Sequence, residues 1–461
     1  MATTVFDSAL FRDMFGTPEM RTVFSDTAYL ERCIDAETAL ARAQGKVGLI
    51  PEEAARDITA RADFARLDLE ALRLETEIVG YPILPLVKQL GAMCGESGGY
   101  LHWGATTQDI MDTATMLQCA QGVSIVARQL DEVRDALRAL ALKHADTVTA
   151  GRTHLQHALP VTFGFRVAVW LSALNRHAER LQQVGERALM VQFGGAAGTL
   201  ASLGDPARAL ETRRLFAQEL GLRDPEITWH VARDGLNELV ALLASIGGSL
   251  GKIAVDVMLM AASEFGEVAE PFVPGRGASS TMPQKRNPIS SELMFAAAKM
   301  LRERAALMLD GMMHDFERAT GPWHLEWSAV PESFLLVASA LHQADFMLRG
   351  LQVDAVKMRR NLDLTGGLIV AEAVMMGLAP ELGRQRAHDV VYDACRIAIE
   401  SERTLYSVLS EDAKIRQAFD DEQLRALTDP SNYLGAAADM ARAVAGATCI
   451  RADHAGHRAA D

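Results

Sequence analysis

The residues from Asp112 to Asp146 read DTATMLQCAQGVSIVARQLDEVRDALRALALKHAD. Within them Val126, Leu130, Val133, Leu137 and Leu140 recur at spacings of four and three, while Arg128, Asp131, Glu132, Arg134 and Arg138 occupy the other faces. Side chains return to one face of an α-helix about every 3.6 residues, so this spacing predicts one long amphipathic helix. The same rhythm fills Val161 to Val191, Leu236 to Ala262, Ser290 to Met313 and Glu332 to Asn361. Several helices near or beyond the usual globular length imply an all-α fold built on a long helical bundle. No strand-like alternation of useful length, no repeat of fixed period and no low-complexity run is visible.

Gly, Pro, Ser and Thr collect at a few joints: Gly91 to Gly104, Gly151 to Pro160, Phe193 to Pro206, Pro271 to Pro288 and Thr320 to Pro331. The polar chemistry collects at the same joints. Cutting there divides the chain into a helical N-terminal domain over 1–112, the long bundle over 113–360 and a smaller helical C-terminal domain over 361–461. The run Gly194 to Gly198 is glycine-rich but follows a helical pattern, so it reads as a turn at a bundle end rather than a dinucleotide loop.

The chain has 461 residues, too many for one small module and enough for a large core. Acidic residues outnumber basic ones by 60 to 46, a formal charge of −14 that argues against nucleic acid or an anionic membrane as the main partner. An anionic substrate must then meet a local cationic pocket. Cys33, Cys94, Cys119, Cys395 and Cys449 are scattered, odd in number and without a CxxC pair, which fits reduced thiols in the cytoplasm. The opening MATTVFDSALFRDMF lacks a basic export signal, and the most apolar stretch, Leu239 to Leu250, is bounded by Glu238 and Lys252, so no membrane span is expected.

The least bland segment is GRGASSTMPQKRNP, Gly275 to Pro288. It places two glycines, two adjacent serines, three cations and two amides between two predicted helices. Gly and Pro make a loop that opens and closes, hydroxyls and free N–H groups receive an oxyanion, and Lys285 with Arg286 supplies positive charge. On composition alone, a mobile charged connection accounts for it equally well.

The pattern GASSTMPQKRNP resembles the signature loop of the fumarase/aspartase superfamily, close to GSSxMPxKxNP. HWGATTQDIMDT (His102 to Thr113) and GRTHLQHALP (Gly151 to Pro160) fall where that family has its other active-site segments. The resemblance implies an all-helical homotetramer whose central helices form one core, with each active site shared between subunits. It also implies anti β-elimination: a base takes a proton beside a carboxylate, an enolate-like dianion forms, and a group leaves the next carbon.

By the same resemblance Ser279 is the base, and Lys285 and Asn287 stabilise the charge that builds on the carboxylate. A serine hydroxyl is far too weak an acid to ionise unaided, so it needs backbone N–H groups, Lys285 and loop closure. Ser280 is then a substrate contact or loop anchor. His154 matches the histidine that many relatives use near the leaving group, as acid or relay, with Thr153 and Gln156 beside it as substrate contacts. A lone His in a polar loop is otherwise a hydrogen-bonded structural residue. Thr106 and Thr107 bind a substrate carboxylate at a helix start, a position where threonines also serve as plain caps. Arg318 and Arg233 resemble positions holding a remote anionic group, although arginine at a helix end commonly just complements the dipole.

Several stretches look like the bacterial 3-carboxy-cis,cis-muconate cycloisomerase branch, among them FDSALFRDMFGTPEMRTVFSD, VQFGGAAGTLASLG and WHLEW. Those cycloisomerases carry Trp where this chain has His154, whereas fumarate-releasing lyases keep His. A histidine there restores a proton donor on the leaving-group side. The expectation is therefore a lyase releasing fumarate from a small dicarboxylate or tricarboxylate of the substituted succinate or aspartate kind, requiring no metal or other cofactor. Muconate lactonisation is the alternative. A crystallin-like relative without activity is the third possibility, and the joint presence of Ser279, Lys285, Asn287 and His154 speaks against it.

Overall fold

The computed structural model describes residues 3–318 and 320–447; Cys449 and the end of the 361–461 segment lie outside the described residues. Six helices position the candidate site: α1 (Asp26–Val47), α2 (Thr107–Lys143), α3 (Phe163–Ala188), α4 (Asp234–Ala261), α5 (Ile289–Asp310) and α6 (Pro322–Arg349). The long-bundle reading of the fold holds.

Helix α2 contains 37 residues and so spans about 55 Å. It starts in a capping box, in which the Thr106 N–H donates to Asp109 Oδ2 at 3.0 Å. Val126, Leu130, Val133, Leu137 and Leu140 are all buried, as their spacing requires. Arg134, read as part of the polar face, is buried too, and its Nε donates to Asn175 Oδ1 at 2.9 Å. The reason is that α2 is covered by α1, α3 and α6 together, which leaves little of its circumference to water. Gly122 makes room for one of these contacts, because a Cβ there would lie 2.7 Å from the fully buried Phe334 ring of α6.

Helix α4 is long and apolar enough, by length and composition, to cross a membrane. In the fold it packs against α3, α5 and α6, and Leu239, Val240, Leu243, Ile246 and Leu250 enter the main core. A second, smaller core is built by Val374, Leu378, Val391, Leu405, Leu409 and Leu424.

Two sequence readings are corrected. The last bundle helix begins at Pro322, ten residues before the expected start, runs through Pro331 and stops at Arg349. Pro322 sits in the first turn, where a missing N–H costs nothing, and burial of Trp323, Val330, Phe334 and Leu336 carries the helix past Pro331. Asn361 belongs to a separate helix, Ala355–Leu362. Strands also occur: β1 (Val148–Thr153) and β2 (Gln156–Thr162) form an antiparallel hairpin, and β3 (Val268–Ala269) pairs with β4 (Gln352–Val353). Their apolar alternation is weak because Gly151 and a register shift between Ala150 and Arg152 interrupt it.

Chain direction then sorts the polar joints between the two ends of the bundle. Helix α2 runs from Thr106 toward the hairpin, and the chain through α4 runs from Arg233, paired with Asp112 of α2, to Glu267 just beyond the helix, paired with Arg152 of the hairpin. The Gly275 to Pro288 loop follows at the hairpin end, and α5 returns the chain to Arg318 at the Thr106 end.

Candidate active site

At the hairpin end, the signature loop is a closed structure. The Asn287 N–H donates to the Gly277 carbonyl at 3.0 Å, and Ala278 and Arg286 form an antiparallel bridge just inside it. Gly277 has φ +69°, and a Cβ there would lie 2.5 Å from the Asn287 carbonyl oxygen, so the neck of the loop requires glycine. Arg276 anchors one side by donating to Ser290 Oγ and Gln343 Oε1, both at 2.7 Å. Glu270 anchors the other: its carboxylate accepts from the Ser290 and Ser291 N–H groups at 3.1 and 2.8 Å and so caps α5.

Ser279 lies in the tip of this loop. Its Oγ accepts hydrogen bonds from the Met282 N–H at 3.0 Å and the Thr281 N–H at 3.3 Å. Donors aimed at an oxygen favour its anionic form. The geometry is also that of an ordinary serine turn; what adds to it here is the Lys285 N–H donating to the Met282 carbonyl, which folds the lysine onto the same turn. Ser280 and Lys285 are exposed and Asn287 is half-buried. The Lys285 side chain has no hydrogen bond or ion pair among the described residues.

The β1–β2 hairpin ends in the two-residue turn His154–Leu155, closed by the Thr153–Gln156 pair. His154 and Leu155 have φ of 53° and 62°, the left-handed pair that a tight hairpin of this kind demands and that Asn-Gly normally supplies. Holding two residues with side chains there costs roughly 1–3 kcal/mol each. All four turn residues are exposed. Behind the turn, a groove of about 550 Å³ is lined by Arg152, Leu155, Arg166 and Trp170, among others. Arg152 is pinned to the buried Glu267, which also accepts from Asn361 Nδ2 at 2.9 Å.

At the other end of the bundle, Arg318 donates to Thr106 Oγ1 at 2.8 Å and to the Gly195 and Ala196 carbonyls at 3.2 and 2.9 Å. The structure therefore brings Thr106, Thr107 and Arg318 together at the start of α2. Asp109 organises this end from below: fully buried, it accepts from the N–H groups of Thr106, Gly194 and Gly195 and lies 2.7 Å from His230 Nε2. The threonines were legible in the sequence as candidate caps; the reach of Asp109 to His230 was not.

Arg233 is placed differently from the reading as an anion-binding residue. It is buried, paired bidentately with both Asp112 and Glu326, and lies over the Trp229 ring at 4.7 Å. Burial opposes its charge, but Asp112 and then Glu326 outweigh it and raise its pKa. With both carboxylates in place, its guanidinium joins α2, α4 and α6 and is not presented to a ligand. No glimpse of this was possible from the sequence, since Glu326 lies 93 residues away.

Thr106 precedes α2 and His154 lies in the hairpin that follows it, so a 37-residue helix about 55 Å long runs between the two segments. The hydrogen bonds of Ser279 are all within its own loop. One chain thus holds its Thr106–Arg318 cluster and its hairpin at opposite ends of the bundle.

A long helical bundle with a serine- and lysine-bearing loop at one end and a Thr–Arg cluster at the other defines an all-helical lyase architecture. The chain matches the family model described as "Lyase" over residues 14–301 and that described as "Adenylosuccinate lyase C-terminus" over residues 367–444. It belongs to this lyase family, the fumarase/aspartase superfamily, near its 3-carboxy-cis,cis-muconate cycloisomerase branch. Curated relatives include trans-aconitate decarboxylase 1 of Mycosarcoma maydis, 45% identical and covering 92% of this chain and 86% of the relative. 3-Carboxy-cis,cis-muconate cycloisomerase of Pseudomonas aeruginosa is 44% identical, covering 93% and 94%. N-acetyl-S-(2-succino)cysteine lyase of Dickeya dadantii is 39% identical, covering 95% and 96%. Among solved structures, the fumarate lyase from Mesorhizobium sp. BNC1 is 54% identical with a TM-score of 0.88, covering 94% of this chain and 99% of that one.

Proposed function

We propose that this enzyme is a lyase that releases fumarate from a substituted succinate, without metal or cofactor, with Ser279 as the base. The observation that carries the reading is the Ser279 hydroxyl, which accepts from two backbone N–H groups in a loop pinned at its neck and bearing Lys285. In this reading the loop closes over a bound succinate. Ser279 removes the proton beside one carboxylate, and Lys285 with Asn287 receives the charge that moves onto it. His154, held on a strained turn and exposed, gives the leaving group its proton. Ser280, Thr153 and Gln156 contact substrate, and Thr106, Thr107 and Arg318 hold the remote carboxylate. The fumarate lyase and the succinocysteine lyase among the relatives support this direction of chemistry.

Muconate cycloisomerisation is the second reading, favoured by the similarity to the P. aeruginosa enzyme. A panel of N- and S-substituted succinates against 3-carboxy-cis,cis-muconate separates the two. Fumarate is expected from at least one succinate, and rapid loss of the muconate diene with no fumarate from any succinate would leave the cycloisomerase standing.

The reading takes the enzyme as a homotetramer with shared sites, since a site that joins Thr106 and Arg318 to the hairpin calls for more than one chain. Exposed Leu155, Val169 and Leu259 near the groove supply apolar surface for such an assembly. Chains carrying Ser279→Ala and chains carrying Arg318→Met should each be inactive alone and should regain partial activity when refolded together. A fully active monomer in sedimentation would be incompatible with shared sites.

A further inference from the structure

Glu37 lies on α1 and is 1% exposed. Its Oε1 is 2.6 Å from His102 Nδ1, and its buried Oε2 has no hydrogen-bond partner. A buried carboxylate is costly unless it is paired, so the contact with His102 is the one that makes this placement tolerable. His102 has φ 59°, an uncommon conformation for a residue with a side chain. The surrounding turn is held from two sides: the Ala105 N–H donates to the His102 carbonyl at 3.2 Å, and Gln44 Nε2 of α1 donates to the Trp103 carbonyl at 2.6 Å.

This turn leads directly into Thr106, which Arg318 contacts. Gly104 lies against Gly195, whose carbonyl Arg318 also contacts: a Cβ on Gly195 would be 3.0 Å from the Gly104 oxygen. His102, Thr106 and Arg318 therefore share one rim, and the His102 side chain keeps 21% of its surface open.

We propose that Glu37 is a positioning residue: through Nδ1 it holds His102 as a proton-bearing donor on the rim of the α2 start, where the imidazole, beside the Thr106–Arg318 cluster that holds the remote carboxylate, receives an oxyanion on the substrate's substituent. The inference rests on the lyase reading and deepens it, since it names a substituted succinate that carries a further anionic group. The charged groups facing His102 are Glu37 from α1 and Asp109 from α2, the latter also shared with His230. Burial works against the imidazolium, but Glu37 and Asp109 outweigh it, so the His102 pKa stands above the ordinary value of 6.5. The contact is present while His102 is protonated and is lost as pH rises through that raised pKa.

Sulfosuccinate is the probe and succinate the reference, with affinities measured by calorimetry. A sulfonate stays anionic across neutral pH, and the carboxylates common to both ligands largely cancel in the ratio. The wild-type protein is expected to prefer sulfosuccinate by about tenfold at low pH, a preference that declines as His102 loses its proton. In Glu37→Gln the decline should move to lower pH, and in His102→Gln the preference should be small and flat. A wild-type ratio that is flat between about pH 5.5 and 8.5 overturns the proposal without any variant. A folded Glu37→Gln protein whose profile superimposes on wild type overturns it as well. Fumarate release is scored separately: a pH-dependent preference with no elimination from any succinate keeps the subsite and sinks the lyase reading, and elimination with a flat preference does the reverse.

Discussion

Ser279→Ala is expected to lower kcat by at least about a hundredfold while leaving KM for the succinate and the helical fold nearly unchanged. The hydroxyl is exposed enough to contribute little to packing, and its hydrogen bonds are local ones from Thr281 and Met282. Removing it leaves the Gly277–Asn287 neck, the Arg276 anchor and the Glu270 cap in place. What disappears is the proton acceptor. Lys285 is a cation that supplies charge, and the Thr281 hydroxyl lacks the paired N–H donors that Ser279 has among the described residues. Steady-state kinetics and far-UV circular dichroism check this, and a variant retaining more than about a tenth of the wild-type kcat, a barrier change below about 1.4 kcal/mol, would remove Ser279 from the role of base.

His154→Ala is expected to separate substrates by their leaving groups. A departing amine with a high pKa must be protonated as it leaves, and general acid help of this kind is typically worth about 10²–10⁴-fold. A leaving group that is stable as an anion needs no such help. The variant should therefore slow elimination of a basic amine by that factor and barely affect elimination of nitrite or a carboxylate. His154 sits at an exposed hairpin tip, so truncation should not disturb the core, and the relief of one left-handed side chain is small by comparison. Equal slowing across the whole panel would assign His154 to orienting the substrate rather than to proton transfer.

Much of the fold was legible because helical periodicity is a local signal. The stripe from Val126 to Leu140 is set by residues three and four apart, and every one of those positions is buried. The same locality failed at Thr320 to Pro331. Proline and glycine mark breaks in an isolated chain, yet burial of Trp323, Val330 and Phe334 outweighs the lost hydrogen bond at Pro331 and carries α6 through it. The hairpin escaped for a related reason: its strands are short, its register shifts at Gly151, and its turn uses His-Leu where Asn-Gly would have announced it.

The chemistry divides along the same line. Gly275 to Pro288 stands out in the sequence because glycine, hydroxyl, cation and amide lie close together on one loop, and its likeness to a family signature gives that composition a meaning. Local spacing was thus enough for the long bundle, and the resemblance of the loop to a known signature was enough for the superfamily. Tertiary structure alone decided that Arg233 is buried between Asp112 and Glu326 and that Glu37 and His102 meet across 65 positions. Those facts depend on which helix faces which, and that is not encoded in any short stretch of residues.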